Sequence, residues 1–278
     1  MHDYLAALII GIVEGLTEFL PVSSTAHIRL AQELLQLPLE DRYWKMFAIV
    51  IQLGAILAVV VYFRSRLLGF LKSYPRGPEG QHTWWSHPLA LVAISFVVTA
   101  VPCLLMDKFI GENLERLSVM AWALVIGGGL MWWVDWYYSP RASTQRMEQM
   151  SLWQAIAIGL SQIFAAAFPG VSRSMATIAG GQMMGLSRPA ALEFSFFLSI
   201  PVMVAATGYK LLQYLSDAQT GMSSHQWLVL GIGFGVSFAV AWVVIAWFMA
   251  WVRRHGFAPF AVYRLVLGGG MLVWLYTR

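Results

Sequence analysis

Charge is scarce in this sequence. Lys, Arg, Asp and Glu together make up 12% of its 278 residues, against about 25% in an ordinary soluble domain. So little polar surface cannot cover a water-soluble globule, which excludes that class. Cysteine is nearly absent: Cys103 is the sole example, so neither an intrachain disulfide nor a cysteine-based metal site can form. No extended hydrophilic segment interrupts the chain, and no attached soluble domain is expected. The N-terminal "MHDYL" lacks a positive leader region and a small-residue cleavage site. It is expected to belong to the mature protein. No basic-aromatic tract appears, so the net charge of +4 is not read as nucleic-acid binding.

What the chain has instead is apolar mass. Hydrophobic residues form 59% of it, and the mean hydropathy is +0.65. Thirteen tryptophans and ten tyrosines suit the two membrane–water interfaces. The expected class is an all-α polytopic membrane protein, a single integral membrane domain over residues 1–278. Six runs read as spans: Phe47–Phe63, Leu89–Met106, Val119–Trp136, Ala190–Leu212, Trp227–Val252 and Pro259–Tyr276. The shorter ones sit near the lower limit of about 17 residues.

Two stretches do not fit a simple span. Tyr4–Leu37 and Leu152–Gly185 each read as two short helices interrupted by proline and small polar residues. "LPVSSTAH" breaks the first and "FPGVSRSMAT" the second. Aligning Pro21 with Pro169 puts Gly11 on Gly159, Glu14 on Gln162 and Glu18 on Ala166. A one-residue adjustment then places "SST" against "SRS". Three apolar runs follow each break. The chain therefore reads as two repeats, about 1–138 and 151–278, each a broken re-entrant pair plus three transmembrane helices. An odd number of spans separates the breaks, so the second repeat is expected to be inverted in topology. Broken backbone at membrane depth is tolerated only when protein-buried or lining a wet cavity. Matched breaks in two halves mark a binding site at their interface.

Charge asymmetry orients this scheme. Arg64, Arg66, Lys72, Arg76, Arg141, Arg146, Arg253 and Arg254 fall on one side, opposed only by Glu79 and Glu148. Asp3, Glu40, Asp41, Asp107, Glu112, Glu115 and Asp217 fall on the other, with Arg42, Lys45, Lys108, Arg116 and Arg278. The positive-inside rule makes the first side cytoplasmic and both termini outward.

The polar residues of the breaks carry the chemistry. Glu14 and Glu18 are four apart, so a helix aligns their carboxylates on one face. Such a pair on a soluble helix is usually a solvated face. Within "ALIIGIV" and "FL" it is expected to face a cavity, where it can hold a divalent cation or work as acid and base. Pro21 ends that helix; Ser23, Ser24 and Thr25 suit the N-cap of the next, and a hydroxyl-bearing helix start also binds anions. His27 lies within a turn of these serines. In the second break Gly170 allows close backbone approach. Ser172 and Ser174 flank Arg173, the planar cation suited to phosphate, and Thr177 adds a hydroxyl one turn on. Gln52 and Glu193 are candidates for lining the same cavity. The glycine runs 127–129 and 268–270 read as close helix packing. An anion cradle beside carboxylates is a conflict that binding alone does not require, whereas phosphate chemistry does.

At these residues the sequence resembles the bacterial undecaprenyl-diphosphate phosphatases, the bacitracin-resistance family. "EGLTEFLPVSSTAH" looks like the first family motif and "PGVSRSMAT" the second, and the resemblance extends over essentially the whole chain. Ala26 departs from the glycine expected there. The resemblance implies that Glu14, Glu18, Ser24, His27 and Arg173 form the functional set, with Ser23, Ser172, Ser174 and Thr177 in the phosphate cradle. It implies hydrolysis of undecaprenyl diphosphate to the monophosphate and phosphate at the outer face of the inner membrane. That reaction recycles the lipid carrier of peptidoglycan synthesis and confers bacitracin resistance. It also implies a divalent cation, Mg²⁺ or Ca²⁺, for which the Glu14 and Glu18 pair is the candidate ligand set. The prenyl tail of such a substrate stays in lipid, and only the diphosphate enters the cleft. The attacking group stays open among Ser24 with His27 as its base, His27 itself, and water activated by Glu18. A lipid-phosphate transporter built on the same broken repeats is the rival reading. Whether two copies pair as a homodimer is also left open.

Overall fold

The computed structural model describes residues 2–38, 41–77, 83–106, 110, 116–216 and 221–277. Glu40, Glu79, Asp107, Lys108, Glu112, Glu115, Asp217 and Arg278, which entered the charge asymmetry, lie outside the described residues. Among the described residues the chain is helical, apart from one isolated bridge between Thr144 and Leu186. The first broken pair is α1 (His2–Thr17) and α2 (Ser24–Leu34). Then come α3 (Arg42–Val50), α4 (Gln52–Tyr62), α5 (Arg64–Ser73), α6 (Pro88–Leu105) and α7 (Leu117–Tyr138). The second broken pair is α8 (Leu152–Ala167) and α9 (Arg173–Met183). It is followed by α10 (Arg188–Ser216), α11 (Ser224–His255) and α12 (Ala258–Tyr276).

Six helical stretches are long and apolar enough to cross a membrane, and they coincide with the six runs read from hydropathy. The chain is a multi-pass membrane protein. Only 28% of the Pro88–Leu105 and Ala258–Tyr276 windows is buried inside the protein. Their outward faces are therefore apolar surface, with Val101, Leu104, Leu105, Val266 and Val273 more than half exposed. Such faces are stable only in lipid. The first span departs from a continuous helix: it is α3 and α4, parted at Ile51. Gln52 at that joint reaches the cavity described below.

The broken pairs dock on long helices in matching ways. α1 lies along α11, where a Cβ on Gly11 would stand 2.8 Å from Gly233 O and 3.1 Å from Val236 Cβ. α8 lies along α6, where a Cβ on Gly159 would stand 2.8 Å from Ser95 O and 3.1 Å from Val98 Cβ. Both glycines therefore permit backbone contact that any side chain would prevent. Thr99 Oγ1 donates to Gly159 O at 2.8 Å, and Ser95 Oγ donates to Ala155 O, adding polar ties to the second contact. Gly15 packs on Ser237 and Ala241, midway along α11, so the end of α1 lies at the depth of that helix's centre.

Charge is managed at the helix ends. His225 Nε2 meets Asp3 Oδ2 at 2.9 Å, joining the start of α11 to the start of α1. Near the other end of α11, Arg66 bonds Glu193 at 2.6 Å and Glu148 at 2.6 Å. Glu193 thus belongs to an ion-pair cluster and not to the central cavity. Asp135 is buried and fully satisfied: it accepts from Arg188 Nε at 2.6 Å, Arg188 Nη2 at 2.9 Å, Gln182 Nε2 at 3.0 Å and Phe257 N at 3.0 Å. The glycine runs divide. Gly127, Gly128 and Gly268 make the close α7–α12 contact, whereas Gly129, Gly269 and Gly270 face open space.

Candidate active site

Each break is a sharp turn capped by a serine. Ser23 has φ 73 and its Oγ accepts the Ala26 N–H at 3.4 Å; Ser172 has φ 75 and its Oγ accepts the Met175 N–H at 3.3 Å. Positive φ is uncommon outside glycine, and such backbone gathers at functional sites. The same distortion at aligned positions gives the two breaks one shape. In the first break Ala26 is buried beside Met120, Ala121 and Leu124, so its methyl fits where a glycine was expected.

The breaks meet. Ser174 Oγ donates to Leu20 O at 3.0 Å. Arg173 Nη2 donates to Glu18 Oε1 at 3.1 Å and its Nη1 to Ser195 O at 3.2 Å, while its Cζ lies 5.9 Å from the Phe19 ring centre. Ser24 Oγ donates to the other oxygen of the same carboxylate, Glu18 Oε2, at 2.6 Å. One carboxylate is therefore shared by a hydroxyl from the first repeat and a guanidinium from the second. A cavity of about 150 Å³ opens over this group, lined by Glu18, Ser23, Ser24, Thr25, Gln52, Gly170, Ser172 and Arg173, with Ala165, Pro169 and Met203 as its apolar wall. The volume suits a phosphate group and excludes a prenyl chain.

Other expected residues stand one layer back. Thr177 is fully buried and bonds Arg173 O at 2.9 Å and Ser195 Oγ at 2.7 Å, so it steadies the turn that carries Arg173. Ser174 is spent on Leu20 and on Ser172 Oγ, 2.9 Å away. Neither lines the cavity. His27 is also directed elsewhere: Nδ1 lies 2.7 Å from Ser23 O and Nε2 2.7 Å from Tyr263 OH. The partner of Ser24 is Glu18, and both ring nitrogens of His27 are occupied.

Glu14 has no exposed surface, and neither of its carboxylate oxygens has a hydrogen-bond donor among the described residues. Its aligned counterpart Gln162 is buried and unpartnered in the same sense. An orphaned buried carboxylate one turn from Glu18 is costly unless a cation or proton reaches it. The described residues bring no three His, Cys, Asp or Glu together as a ready-made metal cage.

Arg264 was not singled out from the sequence. It is fully buried and bonds four backbone carbonyls: Pro21 O at 3.1 Å, Val171 O at 3.0 Å, Gly170 O at 3.1 Å and Ala123 O at 3.0 Å. The available signal was its place in "FAVYRLVL", a lone charge inside an apolar run, which by itself marks a functional position.

Comparison with known proteins identifies the family. The family model for "Bacitracin resistance protein BacA" matches residues 7–270. The chain is 54% identical over its full length, and that of the relative, to a protein from Koribacter versatilis named undecaprenyl-diphosphatase. Proteins of the same name from Novosphingobium aromaticivorans and Caldanaerobacter subterraneus are 43% and 41% identical. They cover 100% and 98% of this chain and 100% and 96% of their own length.

Proposed function

This chain belongs to the bacitracin resistance protein family, and on that premise we propose that it is an undecaprenyl-diphosphatase. It releases phosphate from undecaprenyl diphosphate at the outer face of the bacterial inner membrane, which recycles the lipid carrier and confers bacitracin resistance. The observation that carries the reading is the Glu18 carboxylate held between Ser24 Oγ and Arg173 Nη2. A hydroxyl, a base on its proton and a cation beside both are the parts of nucleophilic phosphoryl transfer.

In the proposed reaction the Ser24 proton passes to Glu18 as Ser24 Oγ attacks the terminal phosphorus. The bond from that phosphorus to the bridging oxygen breaks, and undecaprenyl phosphate leaves. Glu18 gives that proton to the departing undecaprenyl phosphate and, as a carboxylate again, takes one from a water that attacks the phosphoserine phosphorus. The bond to Ser24 Oγ breaks, orthophosphate leaves and the proton returns to Ser24. Arg173 turns its fork from Glu18 to the equatorial oxygens, where planar two-point bonding suits phosphate. The first-turn N–H groups of α2 and α9, capped by Ser23 and Ser172, favour the same negative charge. Thr25 and Gln52 bound the mouth.

The donor set suits a hard cation such as Mg²⁺ or Ca²⁺. Glu14 supplies two unengaged oxygens, and Mg²⁺ commonly takes one or two carboxylates, with water and substrate phosphate completing its shell. Glu14 and Glu18 would hold it, and when bound it would neutralise diphosphate charge. The tail needs no pocket, because the cleft is too small for it and lipid surrounds the spans. The matching dockings of Gly11 and Gly159 support two inverted repeats whose breaks meet near the bilayer centre. Purified protein in detergent, given undecaprenyl diphosphate with and without EDTA, should release orthophosphate and slow on chelation. An inert protein would sink the reading.

A further inference from the structure

We infer that Arg264 is a positioning residue for the phosphate site: its buried guanidinium clamps the two breaks to each other from behind. The inference rests on the function proposed above. Burying a guanidinium is expensive, and apolar replacement of buried charges is often neutral or stabilising. Stability alone therefore does not account for an arginine here. It makes no ion pair among the described residues, and its bonds go to main-chain carbonyls.

Those carbonyls are informative. Pro21 lies in the first break, Gly170 and Val171 in the second. Outside a helix, at membrane depth, such oxygens have no water to bond. A guanidinium carries five donors in a fixed fork and can satisfy several at once, whereas a lysine offers a single point. Nη1 alone spans Pro21 O and Val171 O, so one nitrogen joins the two repeats. Because the peptide is planar and trans, turning Val171 C=O toward Arg264 points the Ser172 N–H away from it. Ser172 lines the cavity and Arg173 follows it. The fork thereby holds the segment before Arg173 at a fixed distance from the segment before Ser24. That spacing lets both residues reach one Glu18.

Space for the clamp is built in. A Cβ on Gly127 would stand 2.3 Å from Arg264 Nη2 and 2.7 Å from Met175 Cε. Gly127 is thus the vacancy that admits the guanidinium, and Gly127→Ala displaces the clamp without altering it.

The test uses Arg264→Lys and Gly127→Ala in the full-length enzyme, with kcat and KM for undecaprenyl diphosphate, inhibition by orthophosphate and thermal unfolding measured together. Small misplacement of reacting groups lowers rates by roughly 100-fold. Both variants should therefore lose kcat on that order, and orthophosphate inhibition should weaken, in protein that still unfolds cooperatively. Wild-type kcat and orthophosphate inhibition in folded protein, with only the melting temperature lowered, would reduce Arg264 to a structural role. If Arg264→Lys does not fold, Gly127→Ala decides by the same readouts. Should the wild type release no phosphate, the proposed function fails separately, and orthophosphate binding in wild type against Gly127→Ala still tests the clamp.

Discussion

The hydroxyl of Ser24 donates to Glu18 Oε2 at 2.6 Å, six residues back across a proline turn. In the proposed reaction this contact makes Glu18 the base for Ser24. Ser24→Ala should lower kcat by at least about 1000-fold, the scale on which loss of a nucleophile is felt. Trapped phosphoenzyme should be acid-stable phosphoserine. His27→Ala should lose far less activity than Ser24→Ala, because both ring nitrogens serve Ser23 O and Tyr263 OH and neither reaches Ser24 Oγ. Acid-labile phosphohistidine would reverse this assignment.

Glu14 and Glu18 should respond differently to the same change. Glu18→Gln leaves one acceptor oxygen where Ser24 and Arg173 use two and removes the charge that takes the proton, so its rate should not recover with added Mg²⁺. Glu14→Gln removes a buried charge that has no donor. Its melting temperature should hold or rise, while activity falls and recovers in part at high Mg²⁺. Equal, metal-insensitive losses in both would argue against a shared cation.

Arg173→Lys keeps the charge but not the fork. It should remain impaired by about 100-fold or more, since a lysine cannot bond two phosphate oxygens in one plane. Steady-state assays showing near-normal turnover would mean that a point charge suffices.

Asp135 anchors the end of α9, the start of α10 and the turn between α11 and α12 through four hydrogen bonds. Asp135→Ala strands the Arg188 guanidinium and the Phe257 N–H. It should destabilise by roughly 1–3 kcal/mol, the cost of leaving buried donors unsatisfied, since the Arg188 side chain is partly open to solvent. Thermal unfolding in detergent would register this, and an unchanged midpoint would show that water replaces the carboxylate.

Topology can be read in intact cells. With both termini outward, a cysteine at Arg141 should resist membrane-impermeant thiol reagents until the cells are opened. One at Met222, just before α11, should react from outside. Labelling of the Arg141 position in intact cells would invert the arrangement.

Hydropathy and composition were enough to mark six spans and two breaks, because apolar length and proline punctuation are local signals that lipid enforces. The polar residues of the breaks were equally visible, since charge in an apolar run stands out without knowledge of the fold. Partnership was not visible. Three residues of spacing suggested His27 for Ser24, yet the proline turn folds Glu18 back onto it and carries His27 away to Tyr263. Glu193 looked like a cavity residue from its place near a span start, but packing sets it against Arg66. Arg264 lies 243 positions from Pro21, and no periodicity links an arginine in one helix to a carbonyl in a distant turn. Such contacts depend on helix crossing and on which glycines let backbones close, so only the tertiary structure decides them.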